Sequence, residues 1–384
     1  MQRYGYIYED ICTLENIRNA HMHARKDKLF YAEVKMVDSN PEYYFKEIQK
    51  MLVNYSYRVG EYIVEIINEA GKERTLMKLP YFPDRIIQWA IVLQIEKYLT
   101  RKFTFHTCAS LPGRGQERCI RLTETYLRDV NESQYCLKID IHHFYPSIDR
   151  EILKQKLRRV FKDPKLLWLL DLIIDSPPGD KGIPIGSYLS QYLANFYLSD
   201  LDHGLKEIHG FSEVVRYMDD ITIYHPSKAR LQFFLHNDLK FTLEKKYHLE
   251  LKNNYQIFPV DKRGVDFCGY VFFHGYTKLR KRTKKRMITR MKEMRKKYEK
   301  GIMINEHDFG TFNAYQGILS HCNSYHLWEK YMEPVIPAIE EYRKAHHMKK
   351  YKVHPKFARR LDACMDRISI YDQMADLNVA LNDL

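Results

Sequence analysis

Apolar residues recur at three- and four-residue spacing early in the chain and at alternate positions near its middle. Tyr4, Ile7, Tyr8, Ile11 and Leu14 predict a helix over 1–27, with the basic run Arg25-Lys26-Asp27-Lys28 at its end. Tyr44, Ile48, Met51 and Leu52 predict a second helix over 42–58. Two β-rich runs, 62–67 and 76–79, flank Asn68-Glu69-Ala70-Gly71-Lys72 and predict a hairpin. Ile86, Ile87, Ala90, Leu93 and Ile95 predict a buried helix over 84–100, and 116–129 predict another. A strand over 135–141 carries Asp140 near its end. Leucine-rich helices over 150–175 begin behind an N-cap candidate, Asp149, and stop at Ser176-Pro177-Pro178-Gly179-Asp180. A further helix begins across 190–195. Val214 and Val215, then Ile221, Ile223 and Tyr224, bracket a polar tip and predict a hairpin with Asp219 and Asp220 at its turn. An amphipathic helix over 227–247 and a short hairpin at 267–272 follow. A helix over 278–300 packs Met287, Met291 and Met294, and the helical pattern of 306–345 includes Tyr315, Leu319, Trp328 and Tyr331. Residues 356–384 predict a helix with an acidic end.

Three carboxylates stand out from this pattern. The strand ending at Asp140 can bring that side chain beside the turn of Tyr217-Met218-Asp219-Asp220. Carboxylates gathered at one point repel and raise their own pKa values. Divalent cations remove that cost, and two of them can activate a hydroxyl oxygen and stabilise a leaving one. A solvated turn is the plain alternative for an Asp-Asp pair. Lys72 and Arg74 lie on the first hairpin, where they suit a phosphate or simply a solvated surface. Pro112-Gly113-Arg114-Gly115 is compatible with a phosphate cradle and equally with an ordinary loop. His142 and His143 do not share an ion, because neighbours on a strand face opposite ways.

The 384 residues allow two or three domains and a substantial core. A formal net charge of +13 suits a polyanionic partner. Much of it lies in 278–300, where Glu293 and Glu299 oppose thirteen lysines and arginines. That run fits a solvated helix or a nucleic-acid backbone, and phosphate binding there would depend strongly on salt. Seven cysteines include no C-x-x-C pair, so neither a zinc ribbon nor a disulfide frame is indicated. No apolar leader and no run of about 18 apolar residues appears, which makes a cytoplasmic protein away from membranes the expectation.

Tyr-Met-Asp-Asp in this strand context, after Asp140, resembles the catalytic hairpin of reverse transcriptases. Further blocks extend the resemblance over roughly residues 1–330: Lys72 to Pro80 with Asp84-Arg85-Ile86-Ile87-Gln88, Asp140 to Asp149, and Gly182 to Gln191 with Ala194-Asn195. The Ile-Gly-x-x-x-Ser-Gln form at 185–191 is similar to the group II intron-like branch, including diversity-generating retroelement and phage-defence enzymes. The resemblance implies an α+β right-hand polymerase with helical and hairpin fingers, a ferredoxin-like palm and a helical thumb. Its domains would be an N-terminal extension at 1–40, fingers at 41–130, palm at 131–275 with fingers helices at about 150–180, thumb at 276–345, and a tail at 346–384. The extension is compatible with template contact, and the tail with a docking surface or a cap on the thumb.

The same resemblance implies site roles. Asp140, Asp219 and Asp220 would be catalytic and, with Ile141, would hold two Mg2+ ions, for which Mn2+ could substitute. Lys72, Arg74, Tyr145, Ile185 and Gly186 would surround the nucleotide, Arg74 on its triphosphate and Tyr145 under its sugar. Ile185 departs from the glutamine of many retroviral enzymes and cannot donate that residue's hydrogen bond. Arg114, Ser190, Gln191, Tyr217 and Met218 would contact template and primer, as would Gly269 in the primer-grip hairpin and Lys281 and Lys285 beside a duplex. For the lysine that protonates pyrophosphate the best candidate is Lys252, although Asn254-Tyr255 fill the expected place.

The expected activity is synthesis of cDNA from deoxynucleoside triphosphates on a template RNA, with a structured noncoding RNA as the natural template. An accessory protein or a homo-oligomer is compatible with it. A catalytically silent RNA-binding or maturase-like scaffold is the rival, and the intact carboxylate set argues against it. No ribonuclease H or zinc-type endonuclease segment follows the thumb and no Asn-Ala-x-x-His element lies in 150–180, which disfavours a mobile intron protein and a retron. A diversity-generating retroelement and a defence system both remain open.

Overall fold

The computed structural model describes residues 3–69 and 72–357, with side chains except at 69, 72 and 74. The chain divides into two compact units, 1–259 and 260–384. The range 131–275 expected for the palm therefore spans both.

The first unit opens with short helices. The helix expected over 1–27 is broken into Tyr8–Ile11 and Leu14–Ala24, because Thr13 caps the second by accepting from the Asn16 amide. Asp163 holds the start of the first of these helices from outside: its carboxylate accepts from the Ile7 and Tyr8 amides at 2.7 and 3.0 Å, and from the Lys165 and Leu166 amides of its own helix. The second expected helix, Pro41–Val53, stops five residues short of 58. The chain then turns so that the Tyr57 hydroxyl and the Gly60 amide reach buried Asp84, at 2.7 and 3.0 Å.

Strands β1, Ile63–Glu69, and β2, Lys72–Lys78, form the predicted hairpin. The main sheet is built from β3, Tyr135–Asp140, β4, Val214–Tyr217, β5, Asp220–His225, and β6, Gln256–Pro259. Its spatial order is β4-β5-β3-β6, and each recorded pairing is antiparallel. Helices fill the β3–β4 and β5–β6 connections, which gives the β-α-β-β-α-β ferredoxin-like arrangement of a polymerase palm. The alternation that predicted the strands supplies the core: Leu137, Ile139, Ile221 and Ile223 are buried in one apolar cluster that also holds Leu153 and Leu157 of helix Arg150–Val160. On the other face, Tyr224 lies 6.2 Å from Tyr126 at the end of helix Gln116–Tyr126. The amphipathic pattern over 227–247 is one continuous helical run, Lys228 to Tyr247, with a π-type segment at Phe234–Leu239.

The second unit starts with β7, Val265–Phe267, β8, Tyr270–Phe273, and β9, Tyr276–Leu279, an antiparallel sheet. Helix Lys281–Glu299 follows, with Met287, Met291 and Met294 buried and its lysines and arginines outward. Residues 351–357 fold back onto this unit. Lys356 donates to the Ser320 carbonyl at 2.7 Å at the end of Glu306–Ser320, and Phe357 stacks on buried Trp328 with centroids 4.3 Å apart. The start of the tail is thus a cap on its own unit, while 358–384 lie outside the described residues. Among the described residues no helix is long and apolar enough to cross a membrane.

Candidate active site

The sheet register brings the carboxylates together. Asp140 at the end of β3 pairs across the strands with Asp220, the first residue of β5. Tyr217 closes β4 opposite Asp220, so Met218 and Asp219 make the turn. Met218 takes a left-handed φ of +59°, which throws the Asp219 backbone back toward β3, and the Ile141 amide donates to the Asp219 carbonyl at 3.3 Å. Burial, reinforced by the charge of Asp140, pushes the Asp219 carboxyl up to about 6.

Lys252 joins the carboxylates through the backbone rather than through its spacing in sequence. Residues 250–252 run beside 140–142: the His142 amide donates to the Glu250 carbonyl at 2.8 Å and the Lys252 amide to the Asp140 carbonyl at 2.9 Å. Backbone pairing therefore delivers the Lys252 ammonium to Asp140 Oδ2 at 2.6 Å. Lys138, two residues before Asp140 and on the same strand face, reaches Asp220 at 3.5 Å. A lysine at period two from an aspartate was the sequence signal for it.

A divalent cation suits this donor set. Asp140 Oδ1 is buried without a hydrogen-bond partner, and burial and the neighbouring Asp140 disfavour the charged form of Asp219, which a bound cation would relieve. Among the described residues no three His, Cys, Asp or Glu side chains stand together as a ready metal cage. Two of the three carboxylates, Asp140 and Asp220, instead pair with the ammonium groups of Lys252 and Lys138.

Tyr145 stands at the site. Burial, then the nearby Asp219 and Tyr217, keeps its phenol protonated. Its turn is stitched to the glycine loop, with the Gly182 amide donating to the Ile148 carbonyl at 2.7 Å and the Ile183 amide to the Tyr145 carbonyl at 3.1 Å. Gly182 has φ +87°, and a Cβ there would stand 2.8 Å from the Pro146 carbonyl oxygen, so glycine is required. Arg150, which the sequence did not single out, organises the loop from below by donating to the carbonyls of Gly182 and Gly179 at 2.8 Å and of Lys181 at 3.0 Å. Ile185 accepts from the Met77 amide of β2 at 3.3 Å, tying the loop to the first hairpin, and Gly186 has φ +114°.

The other expected contact residues lie on several elements. Lys72 and Arg74 sit on β2, but their side chains lie outside the described residues. Arg114 turns inward and donates to the Thr104 and Thr107 carbonyls, both at 2.7 Å, so its guanidinium braces its own loop. Ser190 is buried and Gln191 half-buried in helix Tyr188–Tyr197, which Ser187 caps. Gly269 forms the β7–β8 turn with φ +88°, and Lys281 and Lys285 are exposed on the basic helix of the second unit.

The family model for reverse transcriptase (RNA-dependent DNA polymerase) matches residues 66–272, more than half of the chain. The chain is 26% identical over 154 residues to Protein YkfC of Escherichia coli (strain K12), a match covering 38% of this chain and 40% of that protein. It is also similar to solved structures of apo telomerase from Candida tropicalis and of Candida albicans telomerase with a fragment of telomeric RNA. Both are 12% identical over 75% of this chain, with TM-scores of 0.47 and 0.44, and the matches cover 58% and 61% of those chains. Since the matched span runs from β1 through β8 and encloses all three aspartates, the chain belongs to the reverse transcriptase (RNA-dependent DNA polymerase) family.

Proposed function

We propose that this chain copies an RNA template into DNA, joining deoxynucleoside triphosphates to a primer 3′-OH. The observation that carries this is the register that pairs Asp140 with Asp220 and folds Asp219 against Asp140. Members of the family use divalent metal ions. Asp140 and Asp219, assisted by Asp220 and the Ile141 backbone, would hold two Mg2+ or Mn2+ ions, which supply a lowered pKa for the attacking hydroxyl and neutralisation of the triphosphate. Tyr145, held near Asp219 beside the Gly182 loop, would lie under the nucleotide sugar. Lys72 and Arg74 on the hairpin of β1 and β2 would take the triphosphate, and Ile185 and Gly186 would line the sugar and base. Ile185 offers no side-chain hydrogen bond, which favours relaxed selectivity there.

Arg114, Ser190, Gln191, Tyr217 and Met218 are read as the template and primer side of the first unit. Gly269, Lys281 and Lys285 in the second unit suit the phosphates of the growing duplex. The natural template on this reading is a structured noncoding RNA, and the setting a phage-defence system or a diversity-generating retroelement. RNA-templated incorporation by the purified chain, with Mg2+ and all four deoxynucleotides, is the test. Wild type should extend a primer, and Asp219→Ala with Asp220→Ala should abolish extension while melting near the wild-type temperature. Retained synthesis in that variant would sink the assignment.

A further inference from the structure

We infer that Arg216 is the positioning residue of the catalytic turn, holding the peptide that carries Asp219 in place. Resting on the polymerase reading for its consequence, the argument begins with an anomaly: β4 is Val-Val-Arg-Tyr, and its arginine is 0% exposed. A buried guanidinium needs partners for five N–H groups. Here Nε donates to Asp202 Oδ1 at 2.7 Å and Nη2 to Asp202 Oδ2 at 2.6 Å. Nη1 donates to Asn195 Oδ1 at 3.1 Å, and Nη2 to the Asn195 carbonyl at 3.4 Å. The remaining bond runs from Nη1 to the Met218 carbonyl at 2.9 Å.

That last bond reaches the working part of the molecule. The Met218 carbonyl lies in the same planar peptide unit as the Asp219 amide. Met218 is a non-glycine residue at φ +59°, a conformation that costs about 1 kcal/mol or more without support. Fixing its carbonyl fixes the plane from which the Asp219 side chain departs. The anchor is itself held. Asp202 accepts from the Thr107 hydroxyl at 2.7 Å, and Asn195 donates to the Ala109 carbonyl at 2.8 Å. The Arg216 backbone accepts from the Cys108 amide and donates to the His106 carbonyl, both at 3.0 Å. Helix Ser199–Glu207, helix Tyr188–Tyr197 and loop 106–109 thereby converge on one turn through one side chain. A lysine would keep the charge opposite Asp202 but has no planar fork to reach Met218 as well.

The experiment compares wild type, R216K and Thr107→Val as full chains. Thermal melting, hydrogen exchange of 217–221, and single-nucleotide incorporation normalised to titrated active sites are measured together. R216K should lower kcat by about 100-fold, the scale of a misplacement near 1 Å, with nucleotide KM within about twofold and faster exchange at Asp219 than in β3. T107V, which removes the hydroxyl that holds Asp202 and reaches Thr104, should move the same readouts in the same direction by less. It decides the matter if R216K does not fold. A kcat that falls only with the melted fraction, or turn exchange that stays at the wild-type rate, would overturn the inference. A wild type without incorporation would defeat the polymerase reading alone, and turn exchange in the variants would still judge Arg216.

Discussion

Asp140 has one oxygen on the Lys252 ammonium and the other buried without a hydrogen bond. Positive charge in this site is therefore divided between a fixed lysine and whatever cation the carboxylates recruit. Lys252→Met should lower stability without divalent cations by about 1 kcal/mol, as expected for a partly exposed pair. It should also tighten Mn2+ binding, read by titration calorimetry, because a competing cation is gone. Weaker Mn2+ binding would show that Lys252 supports loading instead. A second titratable residue, Glu213 before β4, is pushed up to about 7 by burial and by Asp129 and Glu132. Its native form holds the proton more tightly than its unfolded form. The stabilisation is full below about 4.5 and is lost as pH rises through about 7. Glu213→Gln should flatten the melting temperature between those values, whereas an unchanged slope would remove Glu213 as its source.

Among the elements, single residues fix boundaries that periodicity leaves open. Asp163 caps its own helix and also binds the Ile7 and Tyr8 amides, so Asp163→Ala removes four hydrogen bonds to two segments. Its loss should cost about 2 kcal/mol, the upper end for a cap. The backbone amides around it hold its pKa below the usual value against the opposing effect of burial. That stabilisation is present above the unfolded carboxylate pKa and fades as pH falls below it, so wild type and variant should converge in acid melts. Gly182 sets the approach of its loop to the Tyr145 turn. Gly182→Ala adds a Cβ against the Pro146 backbone at positive φ, and should raise nucleotide KM while costing about 1–3 kcal/mol. Unchanged KM would separate the loop from nucleotide binding.

Across the whole molecule, charge is distributed by function of surface rather than evenly. Helix Lys281–Glu299 buries three methionines and turns its lysines and arginines to solvent. Binding of an RNA–DNA duplex should weaken steeply with salt, and Lys281→Ala and Lys285→Ala should each reduce the logarithmic salt slope by about 1. Equal slopes in the variants would place the duplex elsewhere. The order of elements and the carboxylate tip were legible because alternation and helical spacing are local properties. The helix start at Tyr8 and the turn after Val53 were not, because their partners, Asp163 and Asp84, lie more than twenty residues away.

The sequence by itself determined strands β1 to β5 and the short hairpin at 267–272, the hairpin that presents Asp219 and Asp220, and the basic helix with its methionine stripe. Burial of one face follows directly from residue period. Tertiary structure alone decided the rest. It set Asp140 opposite Asp220, brought Lys252 to Asp140 through backbone pairing at 140–142, and turned Arg114 inward. It also gave Arg216 its five partners from Asp202, Asn195 and Met218. The physical reason is common to these cases: a polar side chain takes its role from the partners that satisfy it, and those partners are neighbours in space rather than in sequence.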